Sequence, residues 1–412
     1  MYNNIKPVFV IIGGGAAGFM AAITCKENAP TARVIILEKS KNVLAKVKVS
    51  GGGRCNVTNG ETNPIKLSKF YPRTHKLQQD IFKEFGSIQT VEWFKKRGVK
   101  LHTEADGRLF PESNNSETII YCLTEQCRKL GVEIVVSTGV NNIIPIENDG
   151  FKLILNNDSN LIANKVLIAT GGTPSLDGFK WLSGLKLPVE APIPSLFTFN
   201  VASHPLVSLM GLSVENATVK IVGTNLTNQG PLLITHWGFS GPAVIKLSAW
   251  AAKVLAEKKY LFSILINWLG AVSELQAIEQ LNDFKAKHPQ KMVLGNRLFD
   301  IPSRLWEYFC TQSGVLPNTK WCEISKKQFN KLVQTLVADL YEIKGKTTFK
   351  EEFVTAGGIS LEAINMLNME SKTYKNLYFA GEIMNIDGVT GGFNFQHAWT
   401  SGYLAGKNMA GK

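Results

Sequence analysis

The sequence lacks the features that would assign it to a membrane, secreted or metal-binding class. No apolar run reaches the ~18 residues of a membrane-spanning helix. The N-terminal run VFVIIGGGAAG passes into glycines with no small-residue cleavage site behind it. The 6 cysteines, at positions 25, 55, 122, 127, 310 and 322, form no CxxC pair. The sequence therefore predicts a cytoplasmic protein with reduced thiols and with neither a disulfide framework nor a metal site.

Acidic residues are few compared with basic ones. The chain carries 45 Lys or Arg against 33 Asp or Glu, a formal net charge of +12. The excess is concentrated in a basic block, residues 39–100, which holds 14 Lys or Arg and only 4 Asp or Glu. Concentrated positive charge attracts phosphate-rich partners. The block is therefore either a solvated basic face or a nucleic-acid surface, and the charge pattern alone leaves both open.

The N-terminal segment has the pattern of a dinucleotide-binding unit. PVFVIIGGGAAGFMAAITCKE indicates a short strand, a glycine turn and a helix of small residues, and TARVIILEKS indicates a second strand that ends in an acid. Gly13, Gly15 and Gly18 complete GxGxxG, whose glycines allow a tight turn, close approach of a pyrophosphate and helix packing on the strand. Glu38 follows Gly18 by 20 residues, where a carboxylate can accept both ribose hydroxyls. This context favours a dinucleotide site over a structural glycine turn.

Two later segments favour FAD over NAD. KVLIATGG, residues 165–172, indicates a buried strand that runs into a glycine turn. Residues 376–406 repeat this pattern, with a strand, a Gly381-Glu382 turn, and Gly391-Gly392 at the start of a helix. In two-part FAD folds the acidic turn reaches the ribityl chain, and the dipole of the following helix favours the negative charge of a reduced flavin. NAD-binding domains do not need a late strand that returns to the first domain. We therefore expect the cofactor to be FAD.

The stretch VSGGGRCNVTN, residues 49–59, contains three consecutive glycines that need a physical explanation. Three consecutive glycines are costly to order, because glycine has the most conformational freedom to lose. Close approach of a ligand to the backbone would explain them, and a loop that merely turns is the alternative.

Several motifs occur together and in a fixed order: GGGRCNVTN, GRLFPESNNSETI, ATGG, GPLLITHWGFSGPAVIKLS, TAGGIS and AGEIMNIDGVTGGFNFQHAWTSG. In this the chain resembles the BaiN-like and YhiN-like FAD-dependent oxidoreductases, once filed under aminoacetone oxidases. The resemblance covers nearly the whole chain. It implies an α/β fold in which a Rossmann-like FAD-binding domain holds an inserted small β-barrel, itself holding a helical module.

The sequence pattern supports this nesting. β-rich runs follow residue 194, helical spacing follows residue 271, and extended, glycine-punctuated chain returns after residue 345. We expect the FAD domain at 1–193 and 357–412, the barrel at 194–266 and 336–356, and the helical module at 267–335.

The resemblance also implies the residues of the cofactor site. In that family the GGGRCN segment runs alongside the flavin, so the glycines would let the backbone pass the ribityl chain and ring edge. The asparagines would offer hydrogen bonds to the ring, and the arginine would pair with the pyrophosphate or with an anionic substrate. The expected FAD contacts are Gly13, Gly15, Ala16, Ala17, Gly18, Glu38, Lys39, Gly52, Gly53, Arg54, Asn56, Asn59, Val140, Ala169, Thr170, Gly171, Gly381, Glu382, Gly391, Gly392, Phe393 and Asn394.

Two residues are candidates for chemistry. A hydride from flavin N5 to an activated double bond leaves the other carbon in need of a proton. Cys55, within the triglycine segment, could supply it as a thiol, although free cysteines are more often small buried hydrophobes. His236, in THWGFSGP, could donate a proton or hold a substrate carbonyl, or could only fix a barrel turn. His397, in the closing helix, is expected to pack or cap.

Two classes of function follow. The family has been linked to dihydrouridine formation in large-subunit ribosomal RNA, and the basic block favours this RNA partner. The alternative is a small-molecule ene-reductase or amine oxidase, as the bile-acid and aminoacetone names suggest; an FAD-bearing scaffold without activity has little support. With no second GxGxxG in the sequence, we expect NADH or NADPH to dock transiently over the flavin. The oligomeric state is left open.

Overall fold

The computed structural model describes residues 6–147, 150–201, 203–348 and 354–411. The chain forms two compact units. Unit 1 comprises Met1–Ser195 and Lys350–Lys412, and unit 2 comprises Leu196–Phe349. Unit 2 is thus inserted into the sequence of unit 1. The finer division into five segments stays a prediction.

The strands and helices follow one another along the whole chain. The strands are β1 (Val8–Ile12), β2 (Arg33–Leu37), β3 (Thr58–Asn59), β4 (Leu101–Thr103), β5 (Arg108–Pro111), β6 (Glu133–Val135), β7 (Val140–Ile146), β8 (Gly150–Leu155), β9 (Asn160–Ala163), β10 (Lys165–Ile168), β11 (Val189–Pro194), β12 (Thr198–Asn200), β13 (Ser213–Ile221), β14 (Thr227–Thr235), β15 (Gly238–Ser240), β16 (Leu261–Asn267), β17 (Asp339–Lys344), β18 (Lys346–Thr347), β19 (Thr355–Ile359), β20 (Ile364–Asn365), β21 (Glu370–Ser371) and β22 (Leu377–Phe379). The α-helices are α1 (Ala16–Asn28), α2 (Ala45–Gly53), α3 (Pro64–Ser68), α4 (His75–Glu84), α5 (Ser87–Lys95), α6 (Glu117–Leu130), α7 (Pro242–Glu257), α8 (Glu274–Lys287), α9 (Ser303–Gln312), α10 (Lys326–Val337) and α11 (Phe393–Met409). Short 3-10 turns lie at Leu176–Leu185, Pro205–Leu209, Leu361–Ala363 and Gly381–Ile383.

Unit 1 is built on a sheet of order β20-β21-β22-β10-β1-β2-β6, in which β22, β10, β1, β2 and β6 are parallel. The central one of these five parallel strands, β1 (VFVII), consists of apolar, mostly β-branched residues, and all but the first are buried. Such continuous apolar runs are typical of parallel strands that are covered on both faces. The carboxyl ends of β1 and β10 therefore lie side by side, which brings the first glycine turn next to the ATGG turn.

Two helices from opposite ends of the chain pack closely against each other in unit 1. A Cβ at Gly402 of α11 would lie 2.4 Å from the Ala17 carbonyl oxygen of α1, and one at Gly406 would lie 2.4 Å from the Ala21 carbonyl oxygen. Only glycine at these two positions allows the helix backbones to approach so closely. The C-terminal helix is thereby fixed against the first helix of the dinucleotide unit.

Unit 2 contains a sheet of order β17-β16-β13-β14-β15-β12-β18. Its two end strands, β17 and β18, are successive segments of chain separated only by Gly345. The sheet therefore closes on itself as a small barrel. The helices α8, α9 and α10 follow β16 in the same unit, and their buried residues share one core with the barrel.

The α/β fold class with an inserted barrel and a helical module is confirmed. One element was not anticipated. Residues 242–257 lie between runs that were expected to be β-rich, yet they form the long helix α7, which begins at Pro242 after Gly241. Proline is well tolerated in the first turn of a helix, and this proline is the local signal for α7. Among the described residues, no helix is both long enough and apolar enough to span a bilayer.

Candidate cofactor-binding site

The glycines between β1 and α1 have different structural roles. Gly13 has a φ of +114°, and a Cβ there would lie 2.4 Å from the Ala169 carbonyl oxygen. A Cβ at Gly18 would lie 2.0 Å from the Gly13 carbonyl oxygen, so this glycine is required by helix packing. A Cβ at Gly15 would meet no atom within 4 Å. The space beside Gly15 is therefore open, as a bound pyrophosphate would require.

The start of α1 is suited to an anion. Gly15 is the N-cap residue, and no side chain caps the helix. Ala16 and Ala17 form the first turn, so its amides can serve a phosphate. These features of the protein fit the pyrophosphate of a dinucleotide.

The acid at the end of β2 lies next to this turn. Glu38 accepts hydrogen bonds from the Gly14 amide at 2.8 Å and from the Ser40 amide at 2.8 Å. The carboxylate is thus held beside the glycine turn by the protein's own backbone amides. The neighbouring Lys39 is exposed. A Cβ at Gly139, immediately before Val140, would lie 3.4 Å from the Lys39 Cβ atom.

The triglycine segment adopts a left-handed backbone. Gly51, Gly52 and Gly53 have φ values of +58°, +67° and +83° and break α2 near its end. A Cβ at Gly52 or Gly53 would meet nothing within 4 Å, whereas one at Gly51 would lie 2.9 Å from the Phe110 ring. The last two glycines therefore border open space, which fits a surface pressed against a ligand.

Two asparagines join this segment to the start of α11. The Asn59 amide nitrogen donates to the Gly391 carbonyl oxygen at 3.1 Å. The Asn56 amide oxygen accepts from the Gly392 amide at 2.9 Å, and its nitrogen donates to the Thr58 carbonyl oxygen at 3.1 Å. Both asparagine side chains thus form hydrogen bonds within the protein. They unite two motifs that are more than 300 residues apart in sequence.

The turn before α11 is itself shaped by glycine. Gly391 and Gly392 have φ values of +132° and +91°, and a Cβ at Gly392 would lie 2.4 Å from the Thr58 carbonyl oxygen. No side chain caps α11 at Gly392. Asn394 closes the preceding loop through hydrogen bonds to the amide and carbonyl of Gly388. The free first-turn amides of α11, beginning at Phe393, are available to a negative ring edge.

The two remaining glycine turns lie close to the first one. The turn after β10 contains Thr170, which is exposed, and Gly171, whose φ is +76°. The Gly381 amide donates to Ser401 Oγ at 2.9 Å, and a Cβ at Gly381 would lie 3.0 Å from the Ala17 Cβ atom.

The acidic turn after β22 is held by a partner that the sequence does not reveal. Glu382 pairs with Lys46 Nζ at 2.7 Å and accepts a hydrogen bond from the Thr355 amide at 3.0 Å. No local pattern links Lys46 with Glu382.

Arg54 already has partners in the protein. Its guanidinium pairs with Glu104 at 2.7 Å and lies 4.0 Å from the centre of the Phe110 ring. We expected an anion here, and Glu104 supplies one. A contact between Arg54 and a cofactor or substrate stays a prediction.

The two candidate proton donors differ in exposure. Cys55 has no exposed surface, and burial raises the pKa of its thiol to about 12, partly offset by a hydrogen bond with Ser50. Its φ of +62° is also unusual for a side chain of this kind. His236 is exposed in unit 2 at the turn between β14 and β15, with its ring 4.1 Å from that of Trp237.

His397 is a buried residue of α11. Its Nδ1 lies 3.4 Å from Gln78 Nε2, and its Nε2 has no hydrogen-bond partner among the described residues. Burial lowers the pKa of this imidazole to about 3. His397 is therefore a neutral packing residue over the physiological pH range.

Two polar clusters around α11 were missed in the sequence. Gln396 accepts hydrogen bonds from the hydroxyls of Thr58 at 2.5 Å and Thr90 at 3.0 Å. Asp387 is 2% exposed and bonds Arg73 and Ser195. Their partners come from distant segments, so no spacing in the sequence indicates them.

The comparisons with known proteins agree with this geometry. The model of the HI0933-like protein Rossmann domain matches residues 7–408. The chain belongs to this HI0933-like family. Family membership, together with the oxidoreductase relatives, confirms the prediction of an FAD-dependent oxidoreductase.

Three relatives align over nearly their full lengths. A 3-dehydro-bile acid delta(4,6)-reductase of Clostridium scindens is 26% identical over 97% of this chain and 98% of its own. A ribosomal RNA dihydrouridine synthase of Haemophilus influenzae is 29% identical over 97% of this chain and 98% of its own. The protein of the same name from Escherichia coli is 29% identical over 97% of each chain.

Solved structures show the fold at much lower identity. A 3-ketosteroid delta1-dehydrogenase from Sterolibacterium denitrificans has a TM-score of 0.53 at 11% identity, covering 98% of this chain and 100% of its own. A 3-ketosteroid-delta4-(5alpha)-dehydrogenase from Rhodococcus jostii has a TM-score of 0.51 at 13% identity, covering 100% of this chain and 98% of its own.

Proposed function

We propose that the protein reduces a uridine of ribosomal RNA to dihydrouridine, with NADH or NADPH as the source of electrons. A hydride and a proton add across the C5–C6 double bond of the base, and the nicotinamide is oxidised by two electrons. Since the substrate would be ribosomal RNA, a cytoplasmic location follows from the proposal.

One observation carries the choice of RNA, namely exposed positive charge in the basic block. Several of its lysines are exposed and have no ion pair within the described residues; they are Lys39, Lys41, Lys66, Lys69, Lys76, Lys95, Lys96 and Lys100. Such charges release counterions when they meet phosphates, which drives binding to a polyanion. A small apolar substrate would gain nothing from them. The two relatives named ribosomal RNA dihydrouridine synthase support the same choice.

Bound FAD would supply the hydride that the base receives. The protein would hold it through the open backbone at Gly15, the uncapped amides of α1, and Glu38 at the ribose. Gly52 and Gly53 would let the backbone pass the ring edge, and the first-turn amides of α11 would favour negative charge there.

For the proton that completes the reduction, we place His236 ahead of Cys55. An acid must reach the substrate, and Cys55 has no exposed surface. A thiol pKa of about 12 also makes it a weak donor at neutral pH. Under this assignment His236→Ala lowers the rate of uridine reduction by ~10²- to 10⁴-fold, while Cys55→Ala changes it little. The opposite result would exchange the two roles.

A second candidate is reduction of a small molecule. The specific observation that favours it is the similarity to the bile acid reductase, 26% identical over 97% of this chain. An activated C=C bond of an enone would then accept the hydride. The basic block would be a solvated surface, so charge reversal there would leave turnover unchanged. Amine oxidation, the other small-molecule activity considered, has no comparable support.

The test uses mass spectrometry of ribosomal RNA from cells with and without the gene. The proposal predicts a uridine that is 2 mass units heavier only when the gene is present. Complementation with the wild-type gene should restore it, and a Glu38→Ala variant, in which FAD binding is weakened, should restore less of it. Identical RNA in both strains would reject the RNA substrate.

A further inference from the structure

Helices α3 and α4 form a helical hairpin whose outer side is basic and apolar. They contact each other and bury Leu67, Ile81 and Phe82. The exposed residues that we call the hairpin surface are Ile65, Lys66, Lys69, Lys76 and Leu77. Two of these are large apolar side chains, Ile65 at 51% and Leu77 at 46% exposure. Exposed apolar groups set among lysines offer a partner both apolar contact and positive charge.

The positive charge of the hairpin surface is not neutralised. Residues 62–79 contain no Asp or Glu. The next acids along the chain, Asp80 and Glu84, pair with Lys83 at 2.7 Å and Lys407 at 2.6 Å. The three lysines of the surface have no ion pair within the described ranges. Their field therefore points to a negatively charged partner.

The hairpin is fixed to the loop that leads into α11. The Tyr71 hydroxyl donates to the Phe393 carbonyl oxygen at 2.6 Å, and the Phe70 ring stacks on the Phe393 ring with 4.2 Å between centroids. The Val389 amide donates to the Phe70 carbonyl oxygen at 3.0 Å. Arg73 Nε donates to the buried Asp387 carboxylate at 3.0 Å.

These contacts fix the hairpin, through the segment that connects α3 and α4, to the N-terminal end of the proposed flavin-binding helix. A partner held on α3 and α4 sits on the same rigid assembly as Gly391 and Gly392. The other exposed lysines of the C-terminal part of the block, Lys95, Lys96 and Lys100, lie at or after the end of α5, which contacts α11 further along that helix, through Thr90 and Gln396.

We propose that the hairpin surface is the docking site of single-stranded RNA that carries the target base. Lys66, Lys69 and Lys76 contact phosphates, and Ile65 and Leu77 contact bases. This rests on the proposed function and deepens it, because it selects one surface of the basic block. Single-stranded segments expose bases and a flexible backbone, so a basic and apolar helix pair can bind them without a dedicated RNA-binding module.

The test measures binding of a fluorescein-labelled oligouridylate of about 20 nucleotides by fluorescence anisotropy at several salt concentrations. The hairpin variant changes Lys66, Lys69 and Lys76 to Glu. Its affinity should fall at least tenfold, and the slope of log affinity against log salt should become shallower by about 2, since each single-strand phosphate contact contributes about 0.7.

A matched variant changes Lys258, Lys326 and Lys327 of unit 2 to Glu. It has the same charge change on exposed lysines outside the basic block, and its affinity should stay within about twofold of wild type. Flavin absorbance and melting temperature of both variants should equal those of wild type.

A third variant, with Lys95, Lys96 and Lys100 changed to Glu, separates the proposal from the proposed function. If this variant loses binding and the hairpin variant does not, the docking site is wrong while RNA remains the substrate. If wild-type protein binds no oligouridylate or ribosomal RNA transcript, both proposals fall. Hairpin-dependent binding of anionic phospholipid vesicles without RNA binding would also overturn both.

Discussion

The two glycine-rich loops of unit 1 look alike in sequence but differ in what the glycines do. In the β1–α1 loop, a Cβ at Gly13 or Gly18 would collide with backbone at 2.4 or 2.0 Å. In the triglycine loop, a Cβ at Gly52 or Gly53 would meet nothing. The first loop therefore needs glycine chiefly for its own packing, with Gly15 as the exception. The second loop needs it for a left-handed backbone beside open space.

Glycines that the packing of the fold requires are thus distinct from glycines that border the proposed cofactor site. Substitutions at the packed glycines should damage the fold, and those at the open glycines should damage the site. Four predictions for unit 1 follow, in order of decreasing effect, and the first and the last concern these glycines directly.

The largest effect is expected for Gly18→Ala. The added methyl group meets the Gly13 carbonyl oxygen at 2.0 Å, and overpacking of this kind lowers the free energy of unfolding by about 3 kcal/mol or more. Urea denaturation of the apoprotein measures it. Gly15→Ala is the control and should cost within about 1 kcal/mol, the scale of an N-cap change. Equal losses would show that the two glycines do not differ.

Glu38→Ala should act on FAD affinity. Hydrogen bonds to a charged group are worth about 1.5–3 kcal/mol, so the dissociation constant should rise by roughly 10- to 100-fold. Titration of apoprotein with FAD, followed by flavin fluorescence, measures the change. The control is Glu133→Ala, which removes an exposed ion pair with Arg33 at the neighbouring strand and should leave affinity unchanged. A colourless wild-type protein that binds no FAD would contradict the site.

A buried residue of α11 gives a pH effect. The pKa of His397 is about 3 in the folded protein and about 6.5 when unfolded. Between these values only the unfolded state binds the proton, so stability falls as pH decreases from 6.5, by about 1.4 kcal/mol per pH unit. The free energy of unfolding should therefore drop by about 2 kcal/mol between pH 6.5 and 5.

The variant His397→Gln should lose this part of the pH dependence. His236→Gln, which changes an exposed histidine, should keep it. If both variants retain the wild-type slope, His397 is not the group that titrates on unfolding.

The smallest effect is expected for Gly52→Ala. A left-handed φ of +67° costs alanine about 1–2 kcal/mol, with no collision to add. Gly98→Ala is a matched control, because its φ is +82° and its Cβ also meets nothing. Both should lose similar stability, but only Gly52→Ala should weaken FAD binding, by about tenfold. Equal FAD affinity in the two variants would remove the triglycine loop from the site.

Local patterns predicted the parts of the site that depend on neighbouring residues. GxGxxG, the acid at Glu38 and the glycine turns all follow from strand and helix periodicity together with the special backbone of glycine. Asn56 and Asn59 were predicted as site residues, but their bonds to Gly392 and Gly391 were not, because such pairings depend on tertiary packing. The anchoring of Arg73 on Asp387 was missed for the same reason.

The burial of Cys55 shows a second limit of prediction from sequence. It was singled out because it lies within a reactive-looking stretch, yet its side chain has no exposed surface. Sequence neighbours at a sharply kinked segment point in different directions, so proximity along the chain does not predict which side chains are exposed. A role for Cys55 in the reaction stays a prediction.

The central claim is tested most directly by a single-turnover experiment. The purified FAD-loaded protein is reduced anaerobically with NADPH or NADH, freed of excess nicotinamide, and mixed with an unmodified ribosomal RNA transcript. We expect flavin absorbance to return and one uridine of the transcript to gain 2 mass units. Absorbance that returns only with a conjugated steroid enone, and never with RNA, would contradict it.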